Sequence, residues 1–372
     1  MIAKSLFLFV LLILLPDLLL CYRFLRAKRW WWQLLWFFPG LLLIAATIWL
    51  SRQPDFVPDD MTWLNLYMLL MGLFTLPKAV FALCSLCGRK GWIAGAVLVP
   101  VVWYVIIYGS FFGTKQFEVR RVELSFKDLP SAFDGYRIVQ FSDIHVGSID
   151  SLLLQRAVDS INAEKADIVV FTGDIQNKHP KELLHYQDLL STIEASDGVV
   201  SVMGNHDYGD YTDLPYDLKA MNEEMTVGIQ QEMNWQVLIN GYKRVRRGDE
   251  SIYIAGLDND GEGRFPQRGN INRALWGLSR NSFIVMLEHD PSAWRRKILP
   301  HSHCQLTLSG HTHGMQFALF GWSPLSVLKR EVNGLYQMGT RYLYVSKGLG
   351  GVVPFRFGAK PEIVVITLRK SK

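Results

Sequence analysis

A chain of 372 residues, 49% hydrophobic and 13% aromatic, is long enough for two folding units, and a formal net charge of only +5 is far from the footprint of a nucleic-acid-coating protein. Nine of the 39 Lys and Arg residues and four of the 34 Asp and Glu residues precede position 115, so the first part nets +5 and the remainder is neutral. A surplus confined to the apolar part is a membrane-orientation signal, and no nucleic-acid partner is indicated.

In chain order, Leu6 to Cys21, Trp30 to Leu50, Met61 to about Leu86 and Trp92 to Phe112 are each mostly apolar and near the ~20 residues that cross a bilayer. They predict four transmembrane helices within a membrane domain at 1–114. Leu6 to Leu15 could also pass for a signal-peptide core, but no small residue precedes Cys21 and three more spans follow. Trp30, Trp31, Trp32, Trp49, Trp63 and Trp92 fall at the expected helix ends, where an indole sits in the interface. Asp17 and Lys78, each directly after a proline, read as structural charges.

The linker after the first span holds Arg23, Arg26, Lys28 and Arg29, and the one after the third holds Arg89 and Lys90. On the other side are Lys4 and Arg52, with Asp55, Asp59 and Asp60. Six basic residues against two place the termini, and the domain after the last span, away from the cytoplasm. Four scattered cysteines make no disulfide framework, and Cys84 and Cys87 form a lone C-x-x-C that reads as small residues near a helix end.

From about Lys115 the pattern changes. Tyr136 to Phe141, Asp167 to Phe171, Val199 to Met203, Ser251 to Ala255, Phe283 to Leu287 and Gln305 to Leu308 read as strands, and Leu335 to Leu368 is strand-rich. Leu152 to Ala163 and Lys181 to Ala195 have the apolar spacing of one helix face. Lys243 to Arg247 before Gly248-Asp249 looks like a hairpin, and Arg295-Arg296-Lys297 like a solvated run. The alternation predicts an α/β domain at 115–372.

Five of these strands run into polar residues: Ser142-Asp143-Ile144-His145, Thr172-Gly173-Asp174, Gly204-Asn205-His206-Asp207, Glu288-His289-Asp290 and Ser309-Gly310-His311-Thr312-His313. Open α/β sheets gather ligands at the carboxyl ends of their strands, so the five tails should meet at one crevice. In extended backbone residues two apart point the same way, so Asp143 with His145, and His311 with His313, would each present a pair of ligands. Carboxylates, imidazoles and one amide without thiolate favour Mn, Fe or Zn. A carboxylate bridging two such cations ~3.5–4 Å apart would activate a water and clamp a phosphoryl oxygen.

The ordered set D-x-H, G-D, G-N-H-[DE], H and G-H-x-H closely resembles the calcineurin-like metallophosphoesterase family over roughly residues 135 to 370. The stretch Gly310 to Gln316 and the ending from Lys347-Gly348-Leu349-Gly350 through Arg356-Phe357-Gly358-Ala359-Lys360-Pro361-Glu362-Ile363 look like its membrane-associated bacterial phosphodiesterase branch. The resemblance implies a two-sheet sandwich flanked by helices and a site for two divalent metal ions. Asp143, His145 and His313 would hold the first, Asn205, His289 and His311 the second, and Asp174 would bridge them. His206 would assist the leaving group, with Asp207 orienting it. Arg356, in a Gly-rich turn, is a candidate contact for the substrate phosphate. Two departures touch no ligand: Ile175-Gln176-Asn177 follows Asp174 where many relatives have an acid, and Met315 replaces a usual glycine.

The function expected is hydrolysis of a phosphoester or pyrophosphate bond, in a bacterial inner-membrane protein whose substrate is a membrane lipid or another phosphorylated small molecule. Four spans exceed what anchoring needs, and only a few residues separate Phe112 from the first strand near Phe117. A non-catalytic membrane sensor or scaffold binding a phosphorylated ligand has no use for His206 and Asp207, and a transporter would need a polar stripe that the spans lack.

Overall fold

The computed structural model describes residues 2–53, 60–327 and 330–371. The chain divides into two compact units, Met1–Gly113 and Thr114–Lys372. The acidic linker residues Asp55 and Asp59 lie outside the described residues, as do the side chains of Lys4 and Met315.

The first unit is helical, with four segments long and apolar enough to cross a membrane: Leu6–Leu25, Trp30–Ser51, Met61–Ser85 and Gly88–Lys115. Most of their surface is left to face lipid, so the few polar side chains inside carry the helix-to-helix specificity. Lys78 on the third span donates to Asp17 on the first at 2.6 Å and lies 4.5 Å from the centre of the Trp36 ring on the second. Trp36 in turn donates its indole N–H to the Asp17 carbonyl at 3.1 Å. Paired in this way, the two charges tie three spans together, which is how an ion is tolerated at membrane depth. Thr47 and Tyr67 share a 2.8 Å hydrogen bond between the second and third spans.

The second unit is two six-stranded sheets packed face to face. The first runs β1 (Glu118–Phe126), β12 (Glu362–Lys370), β2 (Arg137–Phe141), β3 (Ile168–Phe171), β4 (Val199–Ser201), β5 (Trp235–Val237), parallel except where β12 meets β2. The second runs β10 (Gly334–Met338), β11 (Arg341–Val345), β9 (Leu306–Ser309), β8 (Phe283–Leu287), β7 (Glu250–Gly256), β6 (Gly241–Arg247), parallel through its centre with an antiparallel pair at each edge. Period-two alternation sorts the apolar residues. Ile138, Val170, Val364 and Ile366 join Ile254, Val285 and Leu306 between the sheets, while Val139, Val169, Ile363 and Val365 pack outward under helices. Burying each such side chain contributes roughly 1.5–3 kcal/mol, so this interior makes the strand ends a rigid platform.

Polar residues sit among them too. Gln140, fully buried on β2, donates to Thr172 Oγ1 at 3.1 Å and to the Ser309 carbonyl at 2.9 Å, joining the two sheets where their loops begin.

Helix α1, Ser151–Ala163, starts at an Asp150 cap and buries Leu153, Leu154, Ala157, Val158 and Ile161, as its spacing predicts. The helix expected over Lys181 to Ala195 is broken: a 3-10 turn, Pro180–His185, and a single α-helical turn, Gln187–Ser191, flank Tyr186. The seven-residue spacing of Leu183 and Leu190 buries both, but Tyr186 leaves helical geometry and its hydroxyl shares a 2.7 Å hydrogen bond with Ser151. Helix α2, Tyr216–Glu232, is polar and was not legible as a periodic stripe. The basic runs are neutralised locally: Arg247 pairs with Asp197 at 2.7 Å and Arg296 with Asp260 at 3.0 Å.

Candidate metal centre

Each of the five polar tails follows a parallel strand at its carboxyl end: β2, β3, β4, β8 and β9. Donor atoms of Asp143, His145, Asp174 and His313 lie within 4.8 Å of one another, and so do those of Asp174, His289 and His311. Asp174 is common to both groups. Asn205 joins the second, with Oδ1 3.1 Å from His289 Nε2. The crevice therefore collects all seven candidate ligands.

Their backbone is not the extended chain expected. Asp143, His145, Asp174, His311 and His313 have φ of 50°, 51°, 61°, 72° and 51°, in the left-handed region that costs a non-glycine residue ~1–3 kcal/mol. The pairs two residues apart converge because each member sits in a tight turn beyond its strand, and the close-packed interior below holds those turns. The glycines answer the same crowding. A Cβ on Gly310 would come within 2.2 Å of Asp143 Oδ2, and one on Gly173, itself at φ 94°, within 2.7 Å of His289 Nδ1.

The donor set fits cations. His145 Nε2 and His313 Nε2 face each other at 3.3 Å, while the buried Nδ1 of each has no hydrogen-bond partner among the described residues. Burial drives His145 down to about 3, reinforced by His206 and opposed by Asp174, and burial takes His313 well below its usual range, so both imidazoles are neutral donors. His289 is the opposite case. Burial pulls it down, but Asp174, 3.2 Å away, overrides this and raises it to about 10. The carboxylates thus draw positive charge into a largely buried pocket. The donor atoms of each group are close enough together for one cation to be held among them. His289 Nδ1 donates to the Thr172 carbonyl at 2.7 Å, which turns Nε2 toward Asp174.

Two of the expected site residues have other hydrogen-bond partners than the motifs suggest. Asp207 does not orient His206: its carboxylate accepts the backbone N–H groups of Gly204, Asp174 and Ile175 at 2.8, 2.9 and 3.0 Å, pinning the Asp174 turn. The ring of His206 instead donates Nδ1–H to the Asn177 carbonyl at 2.5 Å, leaving Nε2 for a ligand. Arg356 does not reach outward. It is 3% exposed, and its guanidinium serves the carbonyls of Lys347 at 2.8 Å, His313 and Ala359 at 3.3 Å, and Gly350. A fork engaged with four carbonyls staples the loops, and Arg356 also lines the neighbouring cavity.

Sequence reasoning missed Gln140, Asn177 and Tyr211, whose parts depend on tertiary approach rather than on a motif. Tyr211 packs against His206 and accepts from Asn205 Nδ2 at 2.8 Å. A cavity of about 250 Å³, lined by Ser148, Asp150, Gln316, Gly350, Phe355 and Arg356 among others, lies where the loops after His145 and His313 meet the loop between β11 and β12.

Residues 136–315 match the family described as calcineurin-like phosphoesterase. The uncharacterized metallophosphoesterase YkuE of Bacillus subtilis is 38% identical over 253 residues, covering 65% of this chain and 82% of that protein. The chain belongs to the calcineurin-like metallophosphoesterases. It is accordingly a metal-dependent phosphoester hydrolase, and the family uses a dinuclear divalent metal centre. An uncharacterized metallophosphoesterase of Campylobacter jejuni is 28% identical over 89% of this chain and 88% of its own length. A Danio rerio protein called transmembrane protein with metallophosphoesterase domain is 31% identical over 74% of this chain, which spans 63% of that protein's length. With four apolar spans of its own, this calcineurin-like phosphoesterase is an integral membrane protein.

Proposed function

We propose that this metallophosphoesterase cleaves a phosphoester or pyrophosphate bond of a membrane-resident phosphorylated lipid at a centre of two divalent ions, of Mn, Fe or Zn type. The observation that carries the dinuclear reading is Asp174, the one carboxylate shared by both donor groups. Asp143, His145 and His313 would hold one ion and Asn205, His289 and His311 the other, with Asp174 available to both. When bound, the pair supplies Lewis acidity and a nucleophilic water at neutral pH. His206, 9% exposed at the edge of the buried cluster, would act from its imidazolium form: Nδ1–H stays on the Asn177 carbonyl while Nε2–H passes to the departing oxygen, leaving a neutral ring. Burial pulls this histidine down and Asp174 opposes that, favouring the charged form. Asp207 holds the Asp174 turn through backbone amides, and Arg356 holds the loops around His313.

The lipid reading draws on the membrane unit. One span already anchors a protein irreversibly, so four invite a second use. Between the second and third spans lies an apolar cavity of about 520 Å³, lined by Phe38, Leu42, Leu66 and Phe74 and flanked by Trp49 and Trp63, which suits a hydrocarbon chain. The deciding measurement compares the full chain with one beginning near Lys115, with added Mn²⁺, on a lipid phosphate in micelles and on a soluble diester. The ratio of lipid to soluble turnover is expected to fall about tenfold or more on truncation, since a tether raises effective concentration only for a membrane substrate. An unchanged ratio would leave a broad phosphodiesterase that is merely localised.

The phosphoesterase unit faces away from the cytoplasm of a bacterial inner membrane, on the basis of six basic residues against two in the short loops. A cysteine placed at exposed Trp276 should react with an impermeant thiol reagent in cells whose outer barrier has been removed. Labelling that needs a broken inner membrane would reverse the orientation.

A further inference from the structure

Tyr211 belongs to none of the five strand-end motifs, yet it touches two members of the centre. Its ring lies parallel to that of His206, centroids 3.9 Å apart and planes 2° apart. Its hydroxyl accepts from Asn205 Nδ2 at 2.8 Å. An amide side chain can turn either end toward a metal, and only its oxygen is a ligand; the partner of the nitrogen decides which end faces in. Here the nitrogen is committed to Tyr211, and Oδ1 lies 3.1 Å from His289 Nε2, among the second group of donors. His206 has a matching need. One hydrogen bond, to the Asn177 carbonyl, fixes Nδ1 but leaves the ring free to swing about it, and a face-to-face neighbour removes that freedom.

We propose that Tyr211 is a positioning residue acting on both halves of the reaction: its hydroxyl sets the Asn205 amide for the second metal, and its ring sets the plane of His206 for the leaving group. The proposal rests on the assignments of Asn205 as ligand and His206 as acid, and it makes separable demands of two variants. Tyr211→Phe keeps the stack and loses the hydrogen bond. Tyr211→Leu loses both.

The test uses the full-length protein in detergent, stripped with a chelator and titrated calorimetrically with Mn²⁺ alone, followed by turnover of a phenyl and a p-nitrophenyl phosphodiester at saturating Mn²⁺. Tyr211→Phe should weaken the second Mn²⁺ site by about tenfold, the low end of what a supporting hydrogen bond to a metal ligand contributes. Tyr211→Leu should weaken it similarly and also lose about tenfold more turnover on the phenyl ester than on the p-nitrophenyl ester, because the poorer leaving group depends more on the acid. Unchanged Mn²⁺ affinity in both variants, with equal losses on the two esters, would overturn the proposal, since that is what a loosened fold produces. Asn205→Ala and His206→Ala separate its failure from that of the assignments beneath it. If His206→Ala itself loses equally on both esters, the acid has been misassigned, and the Mn²⁺ titration of Tyr211→Phe then decides the role of Tyr211 alone.

Discussion

Replacing Asp174 by alanine is expected to lower kcat/KM by roughly 10⁴-fold or more and to leave the protein unable to hold two metals, the largest effect of any single ligand change. Asp174 is the only carboxylate in both donor groups, so its loss opens each of them, whereas loss of Asp143 opens one. The damage extends beyond the ions. Asp174 Oδ1 accepts the backbone N–H of His206 at 2.8 Å, so the residue assigned to the leaving group loses an anchor as well. Asp174→Asn is the informative partner. It keeps shape and most hydrogen bonding but removes the charge, and a neutral amide is a poor bridge between two cations. Elemental analysis of both purified variants decides the matter, with circular dichroism to show that they fold. If Asp174→Ala retains two tightly bound metals, the bridging assignment is wrong.

Much of the site was legible because strands and motifs coincide. Ile168-Val169-Val170-Phe171 must be a buried strand, and the Thr172-Gly173-Asp174 that follows must lie at its carboxyl end, where a parallel sheet collects ligands. Five such coincidences place seven donors without any knowledge of the tertiary structure. What the sequence hides is direction. The φ of 50° at Asp143 and 51° at His145 depends on how the turn packs against the Gly173 and Gly350 loops, not on the residue types, so extended geometry was the natural and mistaken inference. Arg356 and Asp207 mislead for a related reason. A charged residue beside a site reads as a catalytic group, yet a backbone bent into several consecutive left-handed turns leaves carbonyls and amides outside any ladder, and these two side chains pair with them. Tyr211 and Gln140 carry no motif at all. They act through approach from residues that are near only in the folded chain.

The second large effect separates chemistry from metal binding. His206→Ala is expected to lower turnover by roughly 10²–10⁴-fold, the usual contribution of a positioned proton donor, while both metals remain. Its Nδ1 is committed to the Asn177 carbonyl at 2.5 Å, and it supplies no atom to either donor group, so removing the ring should cost neither ion its ligands. His145 packs edge-on against His206, centroids 4.8 Å apart, and a cavity the size of an imidazole would open beside it, which water can fill at this partly open edge. The loss should therefore appear in kcat rather than in Mn²⁺ stoichiometry, and it should grow as the leaving group becomes more basic. His206→Gln supplies the control: it restores a hydrogen-bond donor without a proton to give, so it can recover binding of the departing oxygen but not the full rate. Loss of one metal from His206→Ala would move this histidine into the coordination set, and equal losses across leaving groups would leave the departing oxygen to be stabilised by the metals alone.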